Sequence, residues 1–177
     1  MKPGTVALEI GAVATLWVLL FELNGWLFAG WETSELANWV FLPAALRLVA
    51  VLIVGWRGAC GLFLGALVTN WLMQTPWPSA LALSTLSALG PVLAVKLARD
   101  WLRWPTDLAG LRFSHLLLLA ALGAACNGLL HHAYLAWTAP DADWMPQLFT
   151  MVSGDLVGTL AVMLTASAVL RHAAPPR

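Results

Sequence analysis

The sequence predicts an all-α fold, a polytopic bundle of about six transmembrane helices that forms a single integral membrane domain over residues 1–177. Of its 177 residues, 60% are hydrophobic and only 10% are charged. The mean hydropathy is +0.80, far above that of a soluble domain of this size. A membrane-spanning helix uses about 20 apolar residues, so six spans leave under about 60 residues for everything else. We therefore expect no soluble catalytic domain.

Apolar runs bounded by charged residues, Pro or Gly give the individual spans. They predict helices over residues 5–23, 37–56, 58–74, 79–98, 114–137 and 147–170. Lys2 before the first run resembles a signal peptide, but no small-x-small cleavage site follows, so this run is interpreted as the first span. Helices satisfy their own backbone in lipid, and the alternating pattern of about ten residues that a β-barrel needs is missing.

The basic residues predict the orientation of these spans. Eight of the nine basic residues fall on one side of the membrane: Lys2, Arg57, Lys96, Arg99, Arg103, Arg112, Arg171 and Arg177. The other side carries four acidic residues: Glu32, Glu35, Asp141 and Asp143. The positive-inside rule then places both termini in the cytoplasm. Because Lys+Arg 9 balances Asp+Glu 9, the chain has no basic excess for nucleic acid, and we expect no nucleic-acid partner.

Two charged residues lie inside the predicted spans. Arg47 is in the middle of span two and Asp155 about a third of the way into span six, each about 12–14 Å from the outer end of its helix. A lone charge at that depth costs at least a few kcal/mol, so the two side chains are expected to face the bundle interior, where they can pair. Such a pair is either a clamp between helices or part of a functional site, and the sequence leaves both readings open.

Further polar residues share the outer half of the membrane and extend the candidate ligand-binding site. They are Asn70, Asn127, His131 and, at the outer end of span one, Glu22. Asn127 and His131 are spaced i, i+4 and so share one helix face. The cluster predicts a cavity open to the outside for a small polar or anionic ligand, with Arg47 as a forked donor. Each of these side chains alone is also typical of contacts that join transmembrane helices.

Other chemistries find little support in the sequence. His131 and His132 are adjacent and diverge on a helix, and His115 lies about 16 residues away, so no pair of histidines is ready to bind a metal or haem. No Ser or Cys stands in a recognisable nucleophile motif. We therefore expect no metal, no cofactor and no enzymatic activity. Cys60 and Cys126 lie at different predicted depths and are expected to be free thiols.

Glycine and proline positions predict how the spans pack. Two small-x-x-x-small pairs, Gly61 with Gly65 and Gly154 with Gly158, favour close contact between helices. Pro43 and the Gly90–Pro91 dipeptide are expected to kink spans two and four.

Several motifs resemble a known family. The stretches 41–45 (FLPAA), 55–59 (GWRGA) and 63–70 (FLGALVTN), then 87–90 (SALG) and 154–158 (GDLVG), are similar in order and spacing to the first type of bacterial membrane-associated sensor (MASE) domain. The resemblance covers about residues 38–170. Asp155 matches the Asp of that family's Gly-Asp-x-x-Gly signature, and Asn70 ends the span-three motif. Arg47, after Pro-Ala-Ala-Leu, is similar to the membrane half of the sugar-phosphate sensor kinases.

The resemblance implies a sensory module of the bacterial cytoplasmic (inner) membrane. Family members usually have about eight spans and precede a kinase, cyclase or phosphodiesterase, whereas this chain has about six and no output domain. The implied function is capture of a small polar or anionic ligand from the outer side and signalling through a partner membrane protein. Two alternatives stay open: the substrate-capture subunit of a small-solute transporter, and an accessory subunit of a larger membrane complex.

Overall fold

The computed structural model describes residues 3–34, 37–102, 113–141 and 143–173. Within them lie six α-helices: α1 Pro3–Leu27, α2 Pro43–Val54, α3 Trp56–Leu72, α4 Trp77–Leu102, α5 Phe113–Thr138 and α6 Trp144–Ala173. Two short antiparallel strands, β1 Glu32–Ser34 and β2 Ala37–Asn38, lie between α1 and α2. Five of the residues used above for orientation, Lys2, Glu35, Arg103, Arg112 and Arg177, lie outside the described residues.

The structure confirms a helical protein with membrane-spanning dimensions. Four helices of the described chain, α1, α4, α5 and α6, are long and apolar enough to cross a bilayer. The other two are shorter, with 12 residues in α2 and 17 in α3. At a rise of 1.5 Å per residue α2 is about 18 Å long, well short of a hydrocarbon core of about 30 Å.

The short helix α2 differs from the predicted second span, which begins at residue 37. The helix begins only at Pro43. Proline lacks a backbone N–H, but at the first position of a helix this group has no partner within the helix, so no hydrogen bond is lost. Residues 38–42, which we call the strap, run ahead of it without forming a helix. The backbone N–H groups of Phe41 and Leu42 are bonded elsewhere, to the Gly154 carbonyl oxygen at 3.0 Å and to Asn24 Oδ1 at 2.8 Å. The proline therefore starts a helix at this position and does not kink one.

Helix α2 occupies the centre of the bundle. The other helices follow one another around it in the order α1, α3, α4, α5, α6, and α2 contacts each of the five. Between α1 and α6 the ring is open, since these two helices do not contact each other within the described residues. Because the other helices surround α2, Arg47 on this helix is buried although it is charged.

Glycines make the close approaches around α2 and α3. Gly55, with φ 66° and ψ −136°, is the one residue between α2 and α3, a conformation open almost only to glycine. Gly58 then fits against the backbone of Ala50, where a Cβ would collide with the Ala50 carbonyl oxygen. Gly61 and Gly65 pack against Val13 and Trp17 of α1, which confirms the close helix contact predicted for this glycine pair.

A second ion pair stands apart from the buried core. Glu9 of α1 contacts Arg57 at the start of α3, with 2.5 Å between Oε2 and the nearest guanidinium nitrogen. Both side chains are partly exposed, so this pair joins α1 to the α2–α3 turn near the surface of the bundle.

Candidate functional site

The centre of the candidate site is a buried ion pair between α2 and α6. An Arg47 Nη donates to Asp155 Oδ2 at 2.7 Å, and the two residues are 7% and 4% exposed. Removing one partner of such a pair leaves an uncompensated buried charge and costs about 3–5 kcal/mol. Two residues 108 positions apart in sequence are thus held together at the centre of the bundle.

Asn127 of α5 joins the same carboxylate. Its Nδ2 donates to Asp155 Oδ2 at 2.7 Å, and Asn127 is 1% exposed. An ionised carboxylate only accepts hydrogen bonds, so the amide nitrogen must face Asp155 and the amide oxygen must point away. One carboxylate oxygen therefore ties together α2, α5 and α6.

His131 lies one turn further along α5 and connects to α4. Its Nδ1 is 2.9 Å from the Asn127 carbonyl oxygen, and its Nε2 is 3.4 Å from Ser87 Oγ. A carbonyl oxygen can only accept, so Nδ1 carries the proton and Nε2 accepts from the Ser87 hydroxyl. Through these bonds His131 supports the turn that carries Asn127, and it does not itself contact Arg47 or Asp155 through any hydrogen bond in the described chain.

Two aromatic rings flank the guanidinium of Arg47. Its Cζ lies 5.1 Å from the ring centroid of Trp17 and 4.9 Å from that of Phe41. The two rings also meet each other edge to face at 6.1 Å, and Trp17 Nε1 donates to Thr69 Oγ1 at 3.2 Å. Cation–π contacts of this kind contribute about 0.5–2 kcal/mol each. The two rings thus pack against the guanidinium that pairs with Asp155.

Sequence reasoning missed Trp17 and Phe41, although a signal existed for Trp17. It lies in the middle of the first predicted span, whereas most of the other tryptophans lie near span ends. In the structure it is 2% exposed, while the other tryptophans of the described chain are all at least 37% exposed. No comparable signal marks Phe41, whose position depends on the strap.

The strap packs on α6 next to the Arg47–Asp155 ion pair. It crosses α6 over Gly154 and Gly158, where added Cβ atoms would collide with the carbonyl oxygens of Asn38 and Phe41. This glycine pair does make a close contact, but with the non-helical backbone of the strap, so the helix–helix contact predicted for it is wrong. The two glycines flank Asp155, so the same turn of α6 supplies the acid and the room for the strap.

Two asparagine side chains, one on α1 and one within the strap itself, accept hydrogen bonds from the strap backbone. Asn24, at the end of α1 and 3% exposed, accepts from the Leu42 N–H, and Asn38 Oδ1 accepts from the Val40 N–H at 3.2 Å. Buried backbone N–H groups need hydrogen-bonding partners, and these bonds supply them for Val40 and Leu42. Asn24 was not a predicted site residue, and its only sequence signal is a polar side chain at the end of a long apolar run.

Two small cavities adjoin the ion pair. One, of about 30 Å³, is lined by Asn38, Phe41, Arg47, Asn127, Met151 and Asp155. The other, of about 10 Å³, lies on the far side of Arg47 towards Pro91 and Gly123. One water requires about 10–15 Å³, so the first cavity has room for about two waters or for a group of similar size.

The polar atoms beside these cavities are incompletely bonded. Among the described residues, Arg47 Nε and Asn127 Oδ1 are buried and lack a hydrogen-bonding partner. Leaving such groups unpaired costs about 1–3 kcal/mol each, more for charged groups. One is a donor and the other an acceptor, and both belong to side chains that line the larger cavity.

The structure places the other two predicted site residues elsewhere. Asn70 donates to the Ala66 carbonyl oxygen at 2.8 Å and to Ser84 Oγ at 3.2 Å, so its bonds join α3 to α4. Glu22 lies on an exposed face of α1. Of the six predicted residues, the structure thus brings Arg47, Asp155 and Asn127 into direct contact, with His131 behind them.

The described residues contain no group of three or more His, Cys, Asp or Glu side chains arranged for a metal ion. No protein-family model, curated protein or solved structure matches the chain. The resemblance to MASE domains accordingly remains a prediction based on the motifs quoted above.

Proposed function

We propose that this chain is a ligand-binding sensory module of the bacterial cytoplasmic membrane, which captures a small polar ligand at the Arg47–Asn127–Asp155 cluster and signals through a partner membrane protein. Both termini face the cytoplasm in this proposal, and the strap faces the outside. The chain binds its ligand without transforming it. No cofactor takes part.

One observation carries the proposal: two buried polar atoms without partners belong to Arg47 and Asn127, whose side chains line a cavity next to a buried ion pair. A purely structural clamp would be expected to satisfy its polar atoms, since buried unpaired groups are rare in native proteins. A ligand that bonds to Arg47 Nε and Asn127 Oδ1 would remove this cost. The free energy gained on binding is then available to shift the position of the strap, whose Phe41 contacts the same guanidinium.

Access from the outer side is supported by the covering element. The larger cavity is bounded by Asn38 and Phe41 of the strap, which continues from the β1–β2 hairpin. Displacing the strap would open the cluster and would break the hydrogen bonds that the strap makes to Gly154 of α6 and Asn24 of α1. Ligand binding would thereby move the start of α2, and α2 contacts each of the other five helices.

The test is native mass spectrometry of the chain extracted with its own lipids and partners. We expect a retained small molecule in the native chain and in the control Thr165→Val, which changes an exposed residue of α6 whose hydroxyl bonds only to its own helix. The near-isosteric Asp155→Asn should lose the molecule while keeping its helical circular dichroism. Retention of the molecule by folded Asp155→Asn would contradict the proposal, and uptake of a solute that depends on the chain would favour a transport subunit instead.

A further inference from the structure

The charges around the larger cavity already balance. Among the buried residues of the described chain, Arg47 and Asp155 carry the formal charges, one of each sign, and they are paired at 2.7 Å. Adding an anion or a cation would leave one uncompensated charge in a low-dielectric interior, which is costly by several kcal/mol. A neutral ligand adds no such cost.

The two unpartnered atoms define what the ligand must offer. Arg47 Nε carries a hydrogen and only donates, while Asn127 Oδ1, an amide oxygen, only accepts. The bond from Asn127 Nδ2 to Asp155 fixes the orientation of this amide. A ligand that satisfies both must present an acceptor and a donor at once. A carboxylate presents acceptors alone and would face Asn127 Oδ1 with like partial charge.

The size and lining of the cavity limit the ligand further. Its volume of about 30 Å³ corresponds to roughly two waters, and Phe41 and Met151 supply the apolar part of its wall. A group of about three heavy atoms fits this space. A primary carboxamide group, with three heavy atoms, has that size and carries both a donor and an acceptor, and the smaller hydroxymethyl group also carries both.

We infer that the cluster recognises a neutral group that both donates and accepts hydrogen bonds, such as a carboxamide or an alcohol, and that it discriminates against carboxylates and other anions. This inference rests on the proposed function and specifies its ligand class. It departs from the expectation that Arg47 attracts an anion, because Asp155 already neutralises Arg47.

Formamide and formate are the probes that test it, since they have the same shape and differ in charge and in the presence of a donor. The chain, in lipid nanodiscs, carries ¹⁵N at arginine Nε, and the Arg47 signal is identified by its loss in Arg47→Lys or by its response to Trp17→Phe. Formamide should shift this signal saturably, with a half-saturating concentration at least tenfold below that of formate. If formate binds as tightly as formamide or more tightly, the inferred preference for a neutral group is wrong, although the proposed ligand site itself still stands.

Two variants sharpen the result. Asn127→Leu removes the acceptor and should weaken formamide at least tenfold, while Thr138→Val, an exposed residue of the same helix, should bind formamide as the native chain does. Unchanged formamide binding in folded Asn127→Leu would contradict the assigned acceptor. If Asn127→Leu does not fold, the comparison of formamide with formate on the native chain decides alone. A linear shift with both probes would overturn the inference and the proposed function together.

Discussion

Asp155 is the residue on which the buried cluster depends, because its Oδ2 accepts from both Arg47 and Asn127. Asp155→Ala leaves the Arg47 charge buried without its partner, so we expect the free energy of unfolding to fall by about 3–5 kcal/mol. The double variant Arg47→Met/Asp155→Ala removes both charges and should recover a large part of that loss. Thr165→Val should stay within about 0.5 kcal/mol of the native chain. Unfolding followed by circular dichroism in mixed micelles measures all four proteins. A single variant as stable as the native chain would show that the ion pair contributes nothing to the folded protein.

At the scale of elements, the strap and α6 fit together through two glycines. Gly154→Ala and Gly158→Ala would each drive a methyl group into the strap backbone, so each should destabilise the fold by about 1–3 kcal/mol. Gly11→Ala on α1 is the matched control, because a Cβ there meets nothing within 4 Å and alanine is the better helix former by about 1 kcal/mol. Thermal unfolding of the three variants in lipid nanodiscs compares their stabilities. Equal stability of Gly154→Ala and Gly11→Ala would contradict the position of the strap.

The turn between α2 and α3 supplies a second prediction at this scale. Gly55 has open space around its Cα but a φ of 66° with ψ −136°, so Gly55→Ala should destabilise through backbone strain alone, by about 1–3 kcal/mol. Gly11→Ala serves again as the control, since its glycine is helical and unobstructed. Should Gly55→Ala leave the midpoint of thermal unfolding unchanged, the one-residue connection between α2 and α3 would be wrong.

For the whole molecule, the proposed orientation predicts which connections are reached from outside the cell. In a background with Cys60 and Cys126 changed to Ala, an impermeant maleimide should label Asp141→Cys, between α5 and α6, in intact cells. Asp100→Cys, on the exposed final turn of α4, should be labelled only after permeabilisation. The reverse pattern would place the strap and its cavity on the cytoplasmic side and contradict ligand capture from outside.

The local sequence determined the class of protein and most of the candidate cluster. Hydropathy and the low content of charge predicted long apolar helices, and these are properties that each segment carries by itself. The rarity of charge at depth singled out Arg47 and Asp155, because burying an unpaired charge is so unfavourable that few reasons for it exist. The i, i+4 spacing of Asn127 and His131 placed both on one face, and in the structure they are buried neighbours joined through the Asn127 carbonyl oxygen.

Only the tertiary structure decided how these segments meet. That α2 is short and central, that the strap crosses α6 at Gly154 and Gly158, and that Trp17 and Phe41 enclose Arg47 all depend on the order of helices around the bundle. Hydropathy carries no information on that order, since a lipid-facing and a protein-facing apolar side chain have similar composition. For the same reason Asn70 could not be separated from the cluster by depth alone, although its hydrogen bonds join α3 to α4.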